Sequence, residues 1–134
     1  MKTRPESDIV VRMATCYTDC RVGNHLDRSR AVRIPKLLVD TGRQYTWVPM
    51  AELDQIGVQR EKKDLRFVMA NGETITRSVG FAILYVAKTF TIDEVVFAET
   101  GDLALLGART LEGLNLTVDA AEKKLVAAGP LPAA

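Results

Sequence analysis

Asn71-Gly72 separates two runs of strand length, Leu65–Ala70 and Glu73–Val79. Both residues tolerate a positive φ, and between β-patterned runs such a dipeptide is a strong short-range hairpin signal. It commits this part of the chain to antiparallel β structure. Much of the rest follows the same pattern. Phe81–Ala87 and Phe90–Ala98 form a second pair about Lys88-Thr89. Asp8–Tyr17 is predicted as a strand through Ile9, Val10, Val11 and Met13, and Asp19–Arg30, with Gly23, Asn24, Asp27 and Ser29 among charges, as a loop. Ala31–Asp40 reads as a strand ending in the apolar triplet Leu37-Leu38-Val39, as a buried strand would. Tyr45–Val48 is stopped by Pro49, and Leu103–Leu106, Leu116–Val118 and Lys124–Ala127 complete the set. Helix is confined to Met50–Ile56, where Met50, Leu53 and Ile56 share a face, and to Ala108–Leu114. Roughly eight or nine short strands without a βα rhythm predict an all-β, mostly antiparallel domain.

A chain of 134 residues fits a single domain spanning 1–134, with residues 1–7 and 129–134 expected as loose tails. Its 47% hydrophobic content is enough for a core. The net charge of +1, with basic residues scattered among acidic ones, argues against a nucleic-acid surface. No apolar run approaches the ~18 residues of a membrane span, and Met1 to Asp8 holds no apolar leader segment. A soluble, cytoplasmic protein with no membrane partner is the expectation. Cys16 and Cys20 are too few for a disulfide scaffold.

The residues that carry chemistry are Asp40-Thr41-Gly42, directly after Leu37-Leu38-Val39. Alone, this triplet is equally a strand end at which Asp and Gly make a turn. Two further stretches follow it in order. Val68-Met69-Ala70-Asn71-Gly72-Glu73 forms the hairpin, and Leu105-Leu106-Gly107 precedes Leu111-Glu112-Gly113-Leu114-Asn115-Leu116. Taken with Tyr45-Thr46-Trp47-Val48-Pro49, these stretches resemble the retropepsin-like aspartic proteases, the bacterial and retroviral single-domain branch, from about Ile34 to Leu125.

That resemblance implies an acid-protease barrel with one or two short helices, forming half of a twofold-symmetric dimer. It implies an endopeptidase acting on polypeptides without metal or cofactor. Asp40 of each chain would supply one carboxylate of a dyad, Thr41 would bond across the axis, and Gly42 would let substrate approach the backbone. The hairpin would act as a flap, with Arg43, Met69, Ala70, Asn71, Gly72 and Leu106 contacting substrate. Glu99-Thr100-Gly101 echoes the triplet, but Glu is longer by a methylene and no apolar triplet precedes it. The second aspartate is therefore expected from a second chain.

Two departures stand out. Arg43 occupies the place where relatives carry a small residue, and Ala108 and Gln44 replace a basic–acidic pair of the retroviral members. A second reading is accordingly a binding or assembly module that kept the fold and lost turnover. Cys16-x-x-x-Cys20 with His25 offers at most three zinc ligands, and plain thiols are the simpler reading. His25 is expected to be solvated and Lys62-Lys63 to be a charged turn. Trp47 is expected in the core or in a pocket beside the triplet.

Overall fold

The computed structural model describes residues 15–133. Along these the elements are β1 (Thr15–Gly23), β2 (Ala31–Asp40), β3 (Thr46–Pro49), α1 (Met50–Gln55), β4 (Lys62–Val68), β5 (Thr74–Val86), β6 (Thr89–Ala98), β7 (Leu105–Leu106), α2 (Ala108–Leu114), β8 (Leu116–Asp119) and β9 (Lys124–Ala127). Seven strands form one sheet in the order β1-β2-β7-β3-β6-β5-β4. Arg21–Gly23 of β1 also pairs with Ile83–Tyr85 of β5, so the sheet closes on itself and β4 is left outside the ring. β8 and β9 make a separate two-stranded sheet. Among the described residues no helix is long and apolar enough to cross a membrane.

The sheet is mixed rather than uniformly antiparallel, since β7 runs parallel to β2 and β6 parallel to β3. A two-residue strand carries no local mark of its neighbours, so sequence pattern alone cannot place β7. Its position does explain the apolar triplet. Leu37 and Val39 face the main core, while Leu38 packs against a second cluster built on Trp47, Val79, Val96, Ala98 and Leu105. Leu106 and Leu105 divide the same way, as do Val48 and Trp47. Strands buried on both faces read as continuous apolar runs.

Several boundaries differ from expectation: β4 begins at Lys62, so Lys62-Lys63 lies in a strand and not in a turn, and β7 is reduced to Leu105–Leu106. β1 continues to Gly23, because Cys20 and Val22 turn inward while Asp19 and Arg21 sit outside. Charges at alternate positions had disguised this strand as loop, and the loop proper is residues 24–30. There the buried Asn24 donates from Nδ2 to the Ile56 carbonyl at 2.9 Å and accepts the Leu26 N–H at 2.8 Å. The two strands expected on either side of Gly80 are one strand of 13 residues. A Cβ at Gly80 would collide with the Gln59 carbonyl oxygen, so this glycine serves close chain approach and not a turn. The predicted strand Asp8–Tyr17 is described only from Thr15, and its earlier part, like tail 1–7, lies outside the described residues.

β2 holds one irregularity. Pro35-Lys36 forms a bulge opposite Asp19, with Lys36 at φ +60°. Proline cannot donate to the ladder and is tolerated at such a point. At the other end of the chain, residues 128–133 have no regular structure, yet their start is tied to Asn115. The Ala128 N–H donates to the Asn115 carbonyl at 3.0 Å, and Asn115 Nδ2 donates to the Gly129 carbonyl at 2.8 Å.

Leu106 is completely buried between Val39 and the main core. Leu106→Ala should cost about 2–5 kcal/mol of stability in urea unfolding. A loss under ~1 kcal/mol would mean that the side chain is not packed as described.

Candidate active site

Asp40 is the last residue of β2, and its neighbour in the sheet is β7 rather than β3. Residues 41–45 must therefore arch across β7 to reach β3, a span of about 10 Å. Short backbone bonds set the arch. The Gly42 N–H donates to Asp40 Oδ1 at 2.9 Å, and the Arg43 N–H to the Asp40 carbonyl at 3.2 Å. From behind, the Ala108 and Arg109 N–H groups donate to the carbonyls of Arg43 (2.7 Å) and Gln44 (3.2 Å). The first N–H groups of a helix have no partner within it, so α2 satisfies its own end by fastening the arch.

Gly107 makes this contact possible. A Cβ there would fall 2.5 Å from the Tyr45 carbonyl oxygen and 2.6 Å from that of Gln44. Its N–H donates to Thr46 Oγ1 at 2.9 Å. Thr46 and Thr110 are fully buried with their hydroxyls 2.5 Å apart, and Thr110 donates to Asp93 Oδ2 at 2.9 Å. The Thr46 hydroxyl must then donate to Thr110. Sequence reasoning missed this relay, because Thr46, Asp93 and Thr110 lie far apart in the chain; its only cue was hydroxyls set among apolar neighbours.

The Asp40 side chain is 15% exposed, and Arg43 stands beside it with Nε 3.9 Å from Oδ2. The arginine is 39% exposed, so solvent screens the pair and its worth is below about 1 kcal/mol. Thr41 is half-buried and Gly42 exposed. Arg109 lies over the Tyr45 ring at 4.9 Å and reaches Glu94 Oε2 at 3.6 Å and Asp93 Oδ1 at 4.0 Å.

The β4–β5 hairpin leans over the arch. Phe67 meets Tyr45 edge-to-face at 5.5 Å and Trp47 at 5.3 Å between ring centroids. In its turn the Gly72 N–H donates to the Met69 carbonyl at 2.9 Å and the Met69 N–H to the Glu73 carbonyl at 2.7 Å. Gly72 has φ +88°, whereas Asn71 keeps negative φ and caps the turn through Oδ1. The loop is thus three residues with a terminal glycine, wider than Asn71-Gly72 alone.

Between hairpin and arch lies a cleft of ≈ 370 Å³ whose walls include Arg43, Tyr45, Trp47, Phe67, Met69 and Ala70. Of the residues expected to contact substrate, Arg43, Met69 and Ala70 come together here. Asn71 and Gly72 stand exposed at the hairpin tip. Leu106 lies beneath the arch, wholly buried, and supports it from inside.

The other candidates fall elsewhere. Glu99-Thr100-Gly101 is a surface turn clamped by Asp102, which accepts from the Glu99 N–H (2.8 Å) and from Arg77 Nε (2.6 Å) and Nη2 (2.8 Å). Cys16 and Cys20 are free thiols facing the core. Burial raises both, and Cys20, with the charge of Asp19 adding to it, is pushed up to about 12. His25 is half-buried, edge-on to Phe81 at 6.4 Å. Among the described residues no group of three or more His, Cys, Asp or Glu could hold a metal ion.

A Cβ at Gly72 meets nothing within 4 Å, so Gly72→Val is opposed by its backbone conformation alone. Urea unfolding should show a loss of about 1–2 kcal/mol; an unchanged stability would place Gly72 in an ordinary conformation. Cys20 has a pH signature. In the unfolded chain a thiol ionises near ~8.5, whereas in the folded protein it holds its proton to about 12. Its stabilising effect is therefore complete below that lower value and is lost as pH rises toward the higher one. Melting temperature should fall more steeply from pH 8 to 11 in wild type than in Cys20→Ala, and parallel curves would contradict the burial.

No protein-family model matches this chain, and neither does any curated protein.

Proposed function

We propose that the chain is one half of a retropepsin-like aspartic endopeptidase, a cytoplasmic homodimer that hydrolyses polypeptides. The observation that carries this reading is the mounting of Asp40. The Gly42 N–H holds its carboxylate on an arch fastened by the N-terminus of α2, and the next residues of that arch, Gly42 and Arg43, line an apolar cleft.

Among the described residues there is one such arch, since Glu99-Thr100-Gly101 belongs to the Arg77–Asp102 clamp. A twofold axis beside Asp40 would bring a second copy, giving the known aspartic-protease arrangement in which two carboxylates ~3 Å apart share one proton. The ionised carboxylate takes a proton from the bound water as its oxygen attacks the scissile carbonyl. The protonated one donates to the carbonyl oxygen. The tetrahedral diol then collapses, the C–N bond breaks, and the leaving nitrogen takes up a proton, leaving a carboxylic acid and an amine. In this reading Thr41 braces the two arches across the axis. The hairpin over Tyr45 and Trp47 excludes water from the bound peptide. No cofactor takes part.

The place of Arg43 beside Asp40 motivates a second reading, a binding or assembly module that kept the fold and lost turnover. Asp40→Asn separates the two. On the protease reading the variant stays folded and dimeric by sedimentation but yields no new termini from an unfolded protein mixture, while wild type does, with specific activity falling on dilution. Equal cleavage by wild type and variant would end the assignment of Asp40. Absence of cleavage by both would favour the module.

A further inference from the structure

The cleft beside Asp40 has a chemical bias. Tyr45, Trp47, Phe67 and Met69 give it apolar walls, and among the described residues Arg43 is the one formally charged residue lining it. The guanidinium is not consumed by its neighbour. At 3.9 Å, Nε is too far from Asp40 Oδ2 for a hydrogen bond, and among the described residues Arg43 makes no other ion pair. Its N–H donors remain available in a fork that matches a carboxylate in two-point geometry. At 39% exposure the guanidinium would meet that carboxylate partly screened by solvent, so its selectivity is modest.

We propose that Arg43 makes this site selective for peptide segments in which an apolar residue is flanked by Asp or Glu, the apolar side chain filling the cleft and the carboxylate pairing with the guanidinium. The proposal rests on the protease reading for the identity of the site, and adds to it the class of peptide bound. It also gives the unusual arginine a role, since the charge beside the triplet then reads substrate rather than disabling the aspartate.

Trp47 is the only tryptophan of the chain and forms part of the cleft wall, so its fluorescence reports occupancy. The full chain carrying Asp40→Asn, which cannot consume the probe, is titrated with two peptides identical except for Glu or Gln beside a single Leu. The expected result is binding of the Glu peptide about threefold tighter, a preference that shrinks with added salt. Arg43→Gln in the same background should abolish the preference, and Arg43→Lys should retain part of it. Equal affinities, a preference that survives Arg43→Gln, or no binding of either peptide would each overturn the proposal. Wild-type cleavage of the same pair separates it from the reading on which it rests. Hydrolysis of both peptides at equal kcat/KM leaves a protease without this selectivity. Tighter binding of the Glu peptide without hydrolysis leaves the selectivity and removes the protease.

Discussion

The placement of Leu105-Leu106 between β2 and β3 is the constraint from which the remaining structure follows. Two residues of strand hold apart two segments that the chain would otherwise join by a tight hairpin. The connection from Asp40 to Thr46 therefore becomes an arch, and an arch exposes carbonyls that a hairpin would have paired internally. α2 supplies the missing donors, which is possible only because Gly107 lets the chain turn against the Gln44 and Tyr45 backbone without a side chain between them. Strand insertion, glycine and helix start form one device.

Beneath that device the interactions are graded by solvent access. The Thr46–Thr110–Asp93 relay lies inside, where an unmade hydrogen bond costs about 1–3 kcal/mol. The ion pairs of Arg109 with Asp93 and Glu94, and of Lys62 with Glu94, sit near the surface and contribute less. The least exposed hydrogen bonds thus lie under the arch, and the solvated ones around it.

Much of this was legible in residue patterns. Leu37-Leu38-Val39 announced a strand buried on both faces, and Asn71-Gly72 announced the hairpin. Ala31–Asp40, Ala108–Leu114 and Lys124–Ala127 have the predicted bounds. What escaped was non-local. Asp19 and Arg21 looked like loop because their charges occupy the outward positions of a strand whose inward residues, Cys20 and Val22, are few. Gly80 looked like a break because its reason, the Gln59 backbone, lies elsewhere in the chain. Leu106 looked like a wall of the cleft and is a pillar below it, since period-two alternation cannot tell which of two adjacent leucines faces which core. The triplet at Asp40 was visible at once, whereas the relay that supports it has no sequence spacing to betray it.

β4 lies outside the closed ring and, among the described residues, pairs only with β5, so it presents an edge of the sheet. Free edges invite other strands, and chains with an open apolar edge polymerise by adding to one another. Here the edge begins with exposed Lys62, Lys63 and Asp64, the last at φ +58° in a bulge that breaks the ladder register, and Arg66 follows. The exposed apolar Val68, at 76%, comes only where the strand gives way to the turn. An edge so charged and so kinked resists the strand-to-strand addition by which copies of a chain grow into a fibre.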